Sequence, residues 1–77
     1  MKLIKTHQAL LGGSLKTNVT AISKLSCGTE LKLSVSKVFE TRRSSDTWFL
    51  LHREAIRSNL INLENRFYRR SLKPTIA

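Results

Sequence analysis

Thr41-Arg42-Arg43-Ser44-Ser45-Asp46-Thr47-Trp48-Phe49-Leu50-Leu51 is the stretch on which the fold turns. Read as a polar loop (41–46) followed by an apolar strand (47–51), it supplies the last strand of a sheet. Read as a helix opening at Ser44 or Ser45, with Asp46 in its first turn, it removes that strand, because serine caps and early acids are helix-start signals. Trp-Phe-Leu-Leu would wrap apolar side chains all round a helix, whereas a clean docking stripe begins only at Ile56. The expectation is therefore loop, strand and then helix. Trp48 and Leu50 would face away from the strand's inner side and need cover.

Downstream, Ile56, Leu60, Leu63 and Phe67 fall on one narrow stripe of a helix running from Glu54 to about Lys73. A second apolar line, Ile61, Tyr68 and Leu72, lies well round the cylinder, and Arg66, Arg69, Arg70 and Lys73 gather on a further flank. One small core cannot use all three faces, so the second line is either covered by the chain's own N-terminal segment or is a candidate seam for a homodimer or another partner.

Upstream, the period is two. Leu15, Thr17, Val19, Ala21, Ser23 and Leu25 point one way, with Ile22 the exception on the other face. Ser26-Cys27-Gly28-Thr29 is turn chemistry, and Leu31, Leu33, Val35 and Phe39 then return on one face with Lys37 interrupting, which makes a hairpin. The first segment is ambiguous. Leu3, Ile4, His7, Leu10 and Leu11 share a helical face that Gly12-Gly13 could stop, while Met-Lys-Leu-Ile-Lys is also a common opening for a strand; helix over 3–11 is slightly preferred.

The expected fold is thus a single small α+β domain. A three-stranded antiparallel sheet, four-stranded if the first segment is itself a strand, packs against a long C-terminal helix. The corresponding boundaries are 1–13 for the N-terminal helix or strand, 15–52 for the sheet and 54–73 for the helix. With a helix first, the order α-β-β-β-α resembles that of double-stranded-RNA-binding domains, although His52-Arg53-Glu54-Ala55-Ile56-Arg57 departs from the lysine-rich cluster that opens their last helix. With a strand first, the order is similar to small single-strand-binding transcription cofactors that dimerise through their helix.

Seventy-seven residues leave room for one core near the lower limit of unaided folding. Fourteen Lys and Arg against five Asp and Glu give a formal charge of +9, which argues for an anionic partner: nucleic acid, a nucleoprotein complex or an acidic protein. The single cysteine, Cys27, excludes an internal disulfide and suggests a reducing compartment. No run approaches the roughly 18 apolar residues of a membrane span, and the charged first residues do not read as a signal peptide, so the chain is expected in the cytoplasm, a host's if it is phage-encoded, with no membrane partner.

Catalytic and metal-binding constellations are not apparent. His7 and His52 are far apart, the acids Glu30, Glu40, Asp46, Glu54 and Glu64 are scattered, and Gly12-Gly13-Ser14 lacks the lysine of a phosphate loop. The expectation is no enzymatic activity, no metal and no cofactor. The basic residues are more informative. Every one before Arg42 is a lysine, and from Arg42 onward all but Lys73 are arginine, whose planar fork grips phosphate or carboxylate in pairs and stacks on bases. Arg42, Arg43, Arg53, Arg57, Arg66, Arg69, Arg70 and Lys73, joined by Tyr68 as a stacking ring, are the expected binding set. The expected function is nucleic-acid binding, mainly through phosphates. The alternative is a small inhibitor or adaptor, of the kind phages and mobile elements encode, docking on a nucleoprotein or nucleic-acid enzyme by protein contacts.

Overall fold

A computed structural model describes the backbone of residues 1–72 and the side chains of residues 1–70. It contains β1 (Lys2–Ala9), β2 (Leu15–Lys24), β3 (Glu30–Phe39) and α1 (Arg42–Leu72). The strands form an antiparallel meander in the order β1-β2-β3, and the helix packs on one face, an α+β architecture.

The β2–β3 hairpin follows the predicted alternation. Its rungs set Val19 against Val35, Ala21 against Leu33 and Ser23 against Leu31, all on the helix-covered face. The turn closes through Leu25 N–H to Thr29 O at 2.8 Å, and Gly28 supplies the φ of +91° that a residue with Cβ would resist.

Two expectations are overturned. Residues 3–11 are not a helix: 2–9 form an edge strand paired to β2, from Lys2↔Ile22 to Ala9↔Leu15. The polar residues that spoil its alternation have partners. Lys5 faces inward toward Asp46, and His7 toward Thr17. Gly12 and Gly13, at φ +87° and +90°, make a hairpin turn instead of stopping a helix. The left-handed conformation that favours glycine serves either purpose, so the glycines alone could not decide between them.

The second correction concerns 47–51, which is helix and not strand. The helix begins at Arg42 because Thr41 caps it: Thr41 Oγ1 accepts the Ser44 N–H at 3.1 Å and pairs with the Ser44 hydroxyl at 2.8 Å. The sheet therefore ends at Phe39 rather than 52, and the helix opens a dozen residues before Glu54. The observed order, β-β-β-α, is neither of the two orders set out from the sequence. Apolar side chains do wrap round the helix as anticipated, and the consequence is exposure: Leu50 is 63% and Leu51 74% accessible.

The core is one layer thick. Val19, Ala21, Ile56 and Leu60 are buried at its centre, flanked by Leu3, Leu31, Leu33, Trp48, Phe49 and Leu63. Three small hydroxyl residues, Thr17, Ser23 and Ser45, are buried with them. Thr17 Oγ1 lies 2.8 Å from Ser45 Oγ and 2.9 Å from His7 Nδ1, a polar chain that ties β1, β2 and the start of α1 together. At the other end, Ser23 Oγ donates to Glu64 Oε1.

Thr17 and Ser45 are both fully buried, so removing one hydroxyl leaves the other unpaired. Thr17→Val is expected to cost about 1–3 kcal/mol, read as a lower urea midpoint with an unchanged slope. Leu60→Asp is expected to unfold the domain, whereas Ile61→Asp, at a position 45% accessible, leaves the thermal transition cooperative.

Candidate functional site

One side of the helix overlies the open edge of β3. Trp48 lies 5.5 Å, ring to ring, from Phe39 at the end of β3. Asn59, Asn62 and Arg66 share a groove with Leu33, and Arg66 and Arg70 share its continuation with Leu31 and Lys32. At 3.6 residues per turn, Trp48, His52, Asn59, Asn62, Arg66 and Arg70 fall on one line of the helix (i, i+4, i+11, i+14, i+18, i+22). The side chains along it change from aromatic to amide to guanidinium, and no carboxylate of the helix belongs to it.

At the aromatic end, His52 lies flat on Trp48, with centroids 5.2 Å apart and the rings 19° from parallel. Its Nδ1 donates to the Trp48 carbonyl at 2.9 Å, since a carbonyl can only accept. This fixes the tautomer of the neutral ring and leaves Nε2 as an acceptor. Arg43 lines the same shallow depression as Trp48 and His52.

The opposite flank has another composition. Asp46, Glu54 and Glu64, the helix's three acids, lie off the Trp48–Arg70 line, on the part of the helix that also carries Arg42, Arg53 and Arg57. Asp46 accepts from Lys5 Nζ at 2.6 Å, Glu54 stands 3.9 Å from Arg57, and Glu64 accepts from Ser23. Lys5 Nζ also sits 4.9 Å from the centre of the Phe49 ring. The hydrogen bond from Lys5 holds the Asp46 carboxyl below the usual carboxylate range, with the nearby Lys5 and Arg42 charges acting in the same direction.

The residues expected to bind as one set are therefore divided. Arg66 and Arg70 share the β3 groove, with Arg69 next to them on the exposed surface, and Arg43 stands at the aromatic end. Arg42, Arg53 and Arg57 belong to the acid-bearing side. Tyr68 is half-buried edge-on to Phe67, with ring centroids 5.9 Å apart. Lys73 and the side chain of Leu72 lie outside the described residues. Ile61 is exposed, and so is Leu50, one further member of its line; the N-terminal segment, committed to the sheet, covers neither.

The site residues missing from the sequence-based set are Trp48 as a groove residue, His52, Asn59, Asn62 and Lys32. The helical spacing linking the first four was legible, but only with a helix extended back to Arg42. Lys32 comes from β3 and joins through tertiary packing alone.

Among the described residues, no group of three or more His, Cys, Asp or Glu gathers where one metal ion could sit, and no helix is long and apolar enough to cross a membrane. Cys27 is exposed, and its thiol is shifted downward by its hydrogen bond to Thr29. Comparison with protein-family models, curated proteins and solved structures finds no match to this chain.

The Lys5–Asp46 pair sets a pH dependence. A carboxyl whose value is lower in the folded state adds stability that is complete above its unfolded value, near 3.9, and is lost as pH falls through the depressed folded value. Lys5→Met is expected to raise the Asp46 titration midpoint, followed by NMR of the side-chain carboxyl, and to make acid unfolding begin at higher pH.

Proposed function

We propose that this protein is a non-enzymatic nucleic-acid-binding protein that holds a strand along the groove between β3 and the helix, chiefly by its phosphates. The observation that carries the reading is the acid-free line from Trp48 to Arg70 beside Lys32. Arg66 and Arg70 stand one turn apart, so that both guanidiniums can engage backbone phosphates of one strand. Asn59 and Asn62 offer both donors and acceptors to sugars or base edges. The outer face of the His52 ring, already stacked on Trp48, extends an aromatic platform on which a base can add, with Arg43 beside it.

Such a site favours single strands, because stacking on His52 requires an unpaired base, while the arginines give affinity without sequence readout. Lys32 has one local competitor, Glu30, whose carboxylate stands 3.4 Å from its ammonium. The pair is exposed, and a polyanion can displace it.

Titration of labelled single- and double-stranded oligonucleotides at two salt concentrations tests the proposal. Binding is expected to weaken steeply with salt, and removing each phosphate-contacting arginine, Arg66→Ala or Arg70→Ala, to lower the salt slope by about one. His52→Ala is expected to weaken single-strand binding by about 1–3 kcal/mol with little effect on duplex. Arg53→Ala and Arg57→Ala serve as charge-matched controls. Absence of binding at low salt, or equal losses from all four arginine variants, overturns the groove as the site.

A further inference from the structure

The outer face of the helix, between its two flanks, carries a second and independent pattern. Arg43, Leu50, Glu54, Arg57, Ile61 and Tyr68 lie on one line with steps of seven, four, three, four and seven residues, a palindrome of the 3-4 spacing that lets two helices interlock. Turned end over end about a point between Ala55 and Ile56, the line maps onto itself. Leu50 then falls opposite Ile61, Glu54 opposite Arg57, and Arg43 opposite Tyr68.

We infer that this face is the seam of an antiparallel homodimer, with a second copy of the chain as its occupant. Each symmetric layer pairs chemically matched groups. The two Leu50–Ile61 layers bury side chains that are 63% and 45% accessible in the single chain. The two central layers set a carboxylate against a guanidinium, and because Glu54 and Arg57 already stand 3.9 Å apart on one surface, the four groups form an alternating square across the two-fold axis. The outermost layers place the Arg43 guanidinium over the Tyr68 ring, a cation–π arrangement. A parallel pairing in register would instead set Glu54 on Glu54 and Arg57 on Arg57. The charge order therefore selects the antiparallel direction, and an isologous contact of this kind closes at two copies. The seam shares Arg43 with the aromatic end of the β3 groove, while Asn59, Asn62, Arg66 and Arg70 lie outside it, so dimerisation leaves the guanidinium end of both grooves open.

Sedimentation equilibrium over a range of protein concentrations, with circular dichroism to confirm folding, tests the inference. The chain is expected to reach the mass of two copies as concentration rises. Leu50→Asp, at an exposed position, is expected to return it to the mass of one copy with helix content and thermal transition preserved. Glu54→Arg alone and Arg57→Glu alone set like charges across the axis and are expected to weaken the dimer at least tenfold. The double reversal E54R/R57E restores opposite charges and is expected to restore the dimer. A single-copy mass at every concentration overturns the inference, as does a dimer indifferent to Leu50→Asp. A dimer that both single reversals weaken and the double reversal fails to rescue overturns the antiparallel register. The Leu50→Asp monomer keeps an intact groove, so its oligonucleotide binding is read separately.

Discussion

The buried contact between the Ser45 and Thr17 hydroxyls, 2.8 Å apart, is the constraint on which the arrangement rests. A single helix covering a three-stranded sheet is held by a small apolar contact whose attraction is largely non-directional. A pair of buried hydroxyls is different. Its net contribution to stability is small, but any displacement that separates the two atoms leaves both desolvated and unpaired. The pair thus fixes where the helix begins on β2, with His7 extending the chain to β1. Once that end is set, Ile56 and Leu60 fall over Val19 and Ala21, Leu63 falls beside Leu31 and Leu33, and Glu64 comes within reach of Ser23. The groove along β3 is a product of the same placement.

How far the fold could be read from the residues differs along the chain. The alternation over Leu15–Lys24 and Glu30–Phe39 is legible because one face of each strand is mostly apolar or small and the other mostly polar, Ile22 and Lys37 being exceptions too few to break the period of two. The first segment failed for the opposite reason. Lys5 and His7 occupy inward positions, and their partners, Asp46 and Thr17, lie 41 and 10 residues away, where no local pattern can announce them. The Thr41–Leu51 stretch reads as loop and strand because an apolar girdle gives a helix with one core more apolar surface than it can bury. The helix bears Leu50 and Leu51 on its surface, and the cap that starts it is Thr41, a residue type that signals a helix start in the sequence itself. Of the candidate site, the arginines were legible and their division was not, since it depends on the phase of a helix whose start had been placed too late.

That division changes the meaning of the basic composition. Arg42, Arg53 and Arg57 share their side with three acids, two of which are tied to β1 and β2, so that flank stabilises the fold as much as it presents charge. The lysines Lys2, Lys16, Lys24 and Lys32 alternate to the uncovered face of the sheet among Thr, Ser and Asn, where they discourage edge-to-edge pairing by the edge strands β1 and β3, and Lys32, on the open edge, also lines the groove beside Arg66 and Arg70. What remains with an unbalanced charge on the helix is the side above β3.

The separation of acids from that side also gives the molecule a transverse polarity. In an external field, a helix with one balanced flank and one cationic flank experiences a torque as well as an attraction, and the lysines of the uncovered sheet face add a pull of their own. The two sides of one helix thus differ in their electrostatics although both carry arginines: on one the charges are balanced by carboxylates, on the other they are not.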